Sequence, residues 1–155
     1  MKRILPSIIL AAGALAASLL TTAVEANTTR ITGSNGHKYQ GITINRTPTG
    51  AQNACVALGA HLAVIDGSAE ISDISSVAFQ IVGADFWMGT SIPANTFDRV
   101  NVTGSPYYPA GTAMPVPYGY PPLTTTQYLG VTALSNQISF AWYPSSQKYY
   151  ICEWE

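Results

Sequence analysis

Charge is scarce in this 155-residue chain, where Lys and Arg number seven, Asp and Glu eight, and together they make 10%. No basic stripe runs along it to follow a phosphate backbone, so nucleic acid is not an expected partner. Acidic residues are absent from Val100 to Ile151, which removes the charged oxygen ligands that a hard divalent cation prefers. Only two cysteines occur, Cys55 and Cys152. They are too far apart, and without His partners at ligand spacing, to make a metal site. Neither a metal nor any other cofactor is expected. No serine has a G-x-S-x-G setting, and no close carboxylate pair stands out as an acid/base couple. His37 lies at a strand start and His61 inside GAHLA, positions that fit packing or capping. Asp85 and Asp98 read as turn residues. The chain is not expected to be an enzyme.

What is present begins with an export signal. Lys2 and Arg3 precede an almost wholly apolar run from Ile4 to Leu20, and Val24-Glu25-Ala26 places small residues at −3 and −1. These are the parts of a secretory signal peptide over residues 1–26, with cleavage expected after Ala26. An uncleaved membrane anchor is the other reading, disfavoured by Pro6, Gly13 and the cleavage-like site. An even cysteine count in an exported chain reads as a disulfide, two unrelated buried thiols being the alternative. The remainder is long enough for one domain with a real core.

Residues 27–36 are polar and read as a loosely held lead-in, followed by one domain over 37–155. HKYQGITI is the first expected strand. Thr47-Pro48 is a helix start, with Thr47 as N-cap. Ala51, Ala54, Cys55 and Leu58 make one apolar face, and Gly59 closes the helix. HLAVI is a short buried extended segment. A second helix starts at Asp66-Gly67-Ser68, carries Glu70 in its first turn, and keeps its apolar spacing to Val82 before Gly83. DFWMGTS, QYLGVTAL, QISFAWY and KYYICEW read as strands, with RVNVT as a minor one. From Ile92 to Thr126 the chain is rich in Pro, Gly and Tyr without a sustained period. The order implies an α+β domain with a single core.

AQNACVALGAHLAVI, FWMGT, VTGSPYY and YYICE, in that order, resemble the motifs of the C-type lectin-like domain family. The resemblance covers nearly all of the expected mature chain, residues 27–155. It implies a C-type lectin-like fold, with two helices and small antiparallel sheets. It also implies a disulfide between Cys55 and Cys152, a core role for Trp87, and a binding loop in the long Pro/Tyr-rich excursion. A loop of that length would otherwise count against the assignment. Sugar-binding members of the family hold calcium with a Glu-Pro-Asn or Gln-Pro-Asp run in the loop and a late Trp-Asn-Asp. Here the loop counterpart is Met114-Pro115-Val116, which offers no side-chain oxygen ligand. Ser139-Phe140-Ala141 or Trp142-Tyr143-Pro144 stands at the late position. The family's usual calcium site is therefore not expected.

Aromatic and apolar side chains fill the loop instead: Tyr107, Tyr108, Met114, Pro115, Val116, Tyr118 and Tyr120. These rings either pin the loop to the domain or form a contact surface, for which Tyr is suited by its rigid area and polar tip. With Trp142 they are the candidate ligand-binding residues. The expected function is a non-catalytic recognition or adhesion module, secreted or periplasmic, with no stable membrane insertion after signal cleavage. It would bind a protein or glycan, on a host or neighbouring cell, without calcium. The alternative is a structural or assembly component of the cell envelope or of a secreted complex. Asn27, Asn45 and Asn101 begin glycosylation-type triplets, none expected to be used in a chain whose signal looks bacterial.

Overall fold

The computed structural model describes residues 27–95, 99–104, 124–135 and 137–155. The expected signal peptide, Asp98 and the loop candidates from Tyr107 to Tyr120 lie outside these residues. Along the described chain run β1 (Ile31–Thr32), β2 (Lys38–Arg46), α1 (Pro48–Ala57), β3 (His61–Leu62) and α2 (Ser68–Ala78). Then follow β4 (Asp85–Ile92), β5 (Val100–Asn101), β6 (Gln127–Ala133), β7 (Ile138–Tyr143) and β8 (Lys148–Trp154).

The strands join in one sheet of order β1-β2-β8-β4-β6-β7, with β3 on β8 and β5 on β4. All pairings are antiparallel except β4 with β8, where Phe86 lies opposite Tyr149 and Trp87 opposite Tyr150. The terminal strands therefore meet at the centre, and the small antiparallel sheets anticipated from sequence are joined by one parallel contact. Side chains alternate across a strand, which explains the near-continuous apolar runs in β4, β6 and β8. Phe86, Met88, Leu129, Val131 and Ile151 face one way, onto Ile74, Val77 and Ala78 of α2. Trp87, Tyr150 and Cys152 face the other way, onto Ala51 and Cys55 of α1. A sheet covered on both faces needs both parities apolar. The single expected core is thus two cores, one on each side.

Helix α1 starts as its sequence predicts. Thr47 Oγ1 accepts from Gly50 N, and Pro48 takes the first turn. It ends one residue short of Leu58, whose backbone has left the helix, and Gly59 takes φ 72°. Leu58 is consequently exposed rather than on the apolar face. Helix α2 stops at Ala78, because the next amides turn back on nearer carbonyls: Gln80 N to Val77 O and Ile81 N to Ala78 O. Such tightening is common at helix ends. It leaves Val82 exposed, outside the helix that its spacing had implied. Two further expectations are corrected. Residues 27–36 are tied down, with Thr28 buried, its amide donating to Gly41 O, and β1 paired to β2. Asp85 begins β4 rather than sitting in a turn.

Ala63 to Ile65 fill the wedge between β8 and β4. Ala63 N donates to Ile151 O, and Gly89 N donates to Ala63 O. Here Gly89 of the FWMGT run has a physical reason. A Cβ on it would stand 2.5 Å from the carbonyl oxygen of Leu62 and 2.8 Å from a Val102 methyl. Gly89→Ala is expected to destabilise by about 1–3 kcal/mol through overpacking. Urea denaturation checks this, and a loss under about 0.5 kcal/mol would mean that the 62–65 segment yields freely.

Candidate functional site

The expected binding excursion leaves and rejoins the sheet at one end, and its described base is held by polar contacts. Thr90 Oγ1 donates to Asn101 Oδ1 at 2.7 Å, and Asn101 Nδ2 donates to Asp66 Oδ1 at 3.1 Å. Asn101 is buried, so its amide is committed to the fold and not presented for glycosylation. Ala94 N donates to Thr126 Oγ1, joining the two limbs, and Gln127 Nε2 donates to Thr125. Beside this base, between α1 and β4, opens a mainly apolar cleft of about 170 Å³. Pro48, Gln52, Leu62, Ser91, Val102 and Tyr128 are among its walls.

Of the candidate ligand-binding residues, Trp142 is the one described. It stands in β7 opposite Leu129, half-buried against the α2-side core with Ile138 and Phe140. Its indole Nε1 is buried and meets no hydrogen-bond partner among the described residues. Its neighbour Tyr143 faces the opposite core and packs edge-on to Trp87, as does Tyr128, at centroid distances of 6.1 and 6.0 Å. Trp87 is fully buried, its Nε1 donating to Arg46 O. This is the core role implied for it. Lys148 crosses the Tyr143 ring at 4.0 Å and donates to Asp85 Oδ2 at 2.8 Å. Burial alone would raise the Asp85 pKa, but hydrogen bonds from Lys148 and Thr132 outweigh it and hold the carboxyl below its usual range.

Cys55 and Cys152 form the expected disulfide, with Cα atoms 5.5 Å apart and a sequence separation of 97. It fastens α1 to β8, and the whole excursion lies within the loop it closes.

Sequence reasoning missed a second polar centre, on the α2 side. Glu153 of β8 and Glu70 of α2 are both buried, at 1% and 6% exposure. His37 Nδ1 lies 2.7 Å from Glu153 Oε1, to which the Tyr39 hydroxyl also donates at 3.0 Å. Asn35 Nδ2 donates to Glu70 Oε1 and to the Tyr39 oxygen. Backbone amides of Asp66 and Gly67 bind Glu70 Oε2, and Val64 N binds Glu153 Oε2. Burial first, and the charge of Glu153 after the opposing Asp66 amide bond, raise the Glu70 pKa. The hydrogen bond to Glu153 raises that of His37. His61 lies beside the same carboxylate, its Nδ1 4.0 Å from Glu153 Oε2 and bonded to Leu62 O. Both histidines thus do more than start a strand or fill a motif. The available signal was parity: Glu153 falls on the same face of β8 as buried Ile151.

No family model matches the sequence, and no curated protein is significantly similar to it. Solved structures do match. The C-type lectin CEL-I from Cucumaria echinata shares 16% identity at a TM-score of 0.61, over 77% of this chain and 90% of its own. A calcium-independent type II antifreeze protein shares 22% at 0.57, over 76% and 85%. The C-type lectin domain of murine dendritic cell inhibitory receptor 2, solved in complex with N-glycan, shares 16% at 0.58, over 76% and 89%. Identities this low carry the architecture and not the ligand. The two helices, the single sheet that joins the terminal strands and the Cys55–Cys152 bond give this chain the C-type lectin-like fold.

Proposed function

We propose that this chain is an exported, non-catalytic recognition module that binds a protein or carbohydrate ligand through the excursion after β5, without calcium. The observation that carries the reading is the absence of Asp and Glu from Val100 to Ile151 on this fold. A calcium-mediated sugar site needs charged oxygens there. The excursion's sequence instead supplies Tyr107, Tyr108, Met114, Pro115, Val116, Tyr118 and Tyr120, and β7 adds Trp142. Tyrosine rings stack on sugar faces or bury against protein while their hydroxyls stay hydrogen-bonded. The described base of the excursion is anchored to the sheet through Asn101 and Thr126. The disulfide supports export to an oxidising compartment, and residues 1–26 are the proposed signal.

A glycan array, run with and without the calcium-selective chelator EGTA, tests this reading beside size-exclusion chromatography. The expected result is binding to a defined sugar set that EGTA leaves unchanged. The double variant Tyr118→Ala/Tyr120→Ala should weaken it by at least tenfold. Binding that requires calcium overturns the reading. A silent array with a stable oligomer supports an assembly component instead.

A further inference from the structure

One margin of the sheet is open. The order β1-β2-β8-β4-β6-β7 leaves β1 at one edge and β7 at the other. β1 is two residues long, too short to offer much to a further strand. β7 is different. Ile138–Tyr143 is a six-residue run rich in strand-favouring Ile, Phe, Trp and Tyr, and among the described strands it pairs with β6 alone. Its register against β6 runs unbroken from Ala133↔Ile138 to Tyr128↔Tyr143. Proline stands only beyond its end, at Pro144, and the sequence from Val100 to Gln147 contains no Lys, Arg, Asp or Glu. No charge, internal proline or bulge guards this edge, the devices by which natural edge strands are kept from pairing.

We propose that β7 is a self-association edge, pairing antiparallel with β7 of a second copy of this chain about a twofold axis through Phe140. Two observations name a second copy as the occupant. A twofold interface sets one patch against itself, so a charged edge would meet its own charge. Only a neutral edge suits such pairing, and β7 is neutral. The strand is also self-complementary in the register centred on Phe140. Ile138 then lies opposite Trp142, Phe140 opposite its own copy, and Ser139 opposite Ala141. Directly opposed residues share a face of the sheet. The stripe of Ile138, Phe140 and Trp142, which packs on the α2-side core, therefore continues into the same stripe of the other copy. Small Ser139 and Ala141 meet on the opposite face.

An exposed apolar flank adjoins the same edge. Gly83 N donates to Ala133 O, which brings the Val82–Gly83 step against the Ala133–Leu134 step where β6 turns toward β7. Val82 and Leu134 are exposed, and so is Phe79 three residues before Val82. Apolar groups gathered at one place on a surface mark interaction sites, whereas scattered ones do not. A strand edge alone is narrow beside the about 1,200–2,000 Å² of a stable interface. The flank therefore has to contribute, and the expected affinity is micromolar. Backbone groups on the outer side of β7 gain hydrogen-bond partners by the addition. The antiparallel arrangement sends the Tyr143 ends of the two strands, and with them the excursion bases at Gln127, to opposite ends of the shared sheet. Such a dimer bridges two ligand-bearing partners instead of gripping one, a consequence that rests on the recognition reading, as the pairing itself does not.

Sedimentation equilibrium of the disulfide-bonded protein, from about 1 to about 500 µM, tests the pairing. A monomer–dimer equilibrium with a Kd on the order of 10–100 µM is expected. Phe140→Lys sets two like charges opposite each other at the axis and should weaken the dimer at least tenfold, with folding confirmed by near-ultraviolet circular dichroism. A second measurement does not depend on that variant. Protein carrying Ser139→Cys, mixed with protein carrying Ala141→Cys, should cross-link under mild oxidation faster than either alone. Directly opposed Cβ atoms lie about 4.5–5.5 Å apart, close to disulfide reach. A monomer throughout the concentration range, a dimer unchanged by a folded Phe140→Lys variant, or cross-linking no faster in the mixture would each overturn the proposal. The glycan array reads the excursion separately, so a failure of either idea leaves the other standing.

Discussion

Cys55→Ser is expected to cost about 4–5 kcal/mol of stability, the chain-entropy value for a closed loop of this length. The sequence separation of 97 places most of the domain inside that loop, including the excursion between Gly104 and Thr124. Without the cross-link the unfolded chain regains that freedom, and folding must close the loop against it. Both sulfurs are fully buried in the α1-side core beside Ala51, Leu62 and Trp87, so the loss is not recovered by rearrangement at a surface. Cys152→Ser should cost the same, and the double variant no more than either, because one bond is lost in all three. Urea unfolding followed by tryptophan fluorescence measures each, and wild type in reductant should coincide with the double variant. Additive losses would show that the cysteines contribute through separate packing, and that the bond itself constrains little.

The chain displays some of this architecture openly and hides the rest for identifiable reasons. Thr47-Pro48, Ala51, Cys55 and Gly59 mark α1 because capping, helical spacing and a positive-φ stop are local signals. Trp87 and the paired cysteines are readable through family resemblance, since their neighbours in sequence are their neighbours in the motif. Leu58 and Val82 mislead because apolar spacing continues past the residue where the backbone leaves the helix. Spacing alone does not carry that end. The two-sided sheet is written in β4 and β8 as apolar residues at both parities, a pattern that a buried helix segment shares over so short a run. The Glu70–Glu153 centre was the least legible. Glu70 has a sufficient local explanation as an acid in the first turn of α2. Nothing local says that β8 passes in front of it. Only the register of β8 against β2, with Glu153 opposite Tyr39, brings the two acids together. The proposed contact residues of the excursion rest on composition, and their test is binding rather than stability.

Glu153→Ala is expected to be nearly as damaging as loss of the disulfide, at about 3–5 kcal/mol, the range for removing one member of a buried ionic network. The carboxylate accepts from the Tyr39 hydroxyl, Val64 N and His37 Nδ1. Its loss strands the buried Val64 amide, at a cost of about 1–3 kcal/mol, and leaves the Tyr39 hydroxyl with only its longer 3.5 Å bond to Glu70 as an acceptor. Glu153→Gln separates charge from shape. The single amide oxygen can still accept from Val64 N, while the NH2 in place of Oε1 can only donate, to the Tyr39 oxygen or a neutral His37. The loss should therefore fall to about 1–3 kcal/mol, mostly the charge-assisted bond to His37 and the Tyr39 hydroxyl bond. A double-mutant cycle with His37→Ala then isolates that bond. The Gln and Ala backgrounds should both show His37→Ala nearly without further effect, whereas in wild type it costs about 1–2 kcal/mol. If His37→Ala costs the same with and without the Glu153 carboxylate, the 2.7 Å contact contributes nothing to folding. The pair would then owe its place to the packing of β2 on β8 rather than to its charges.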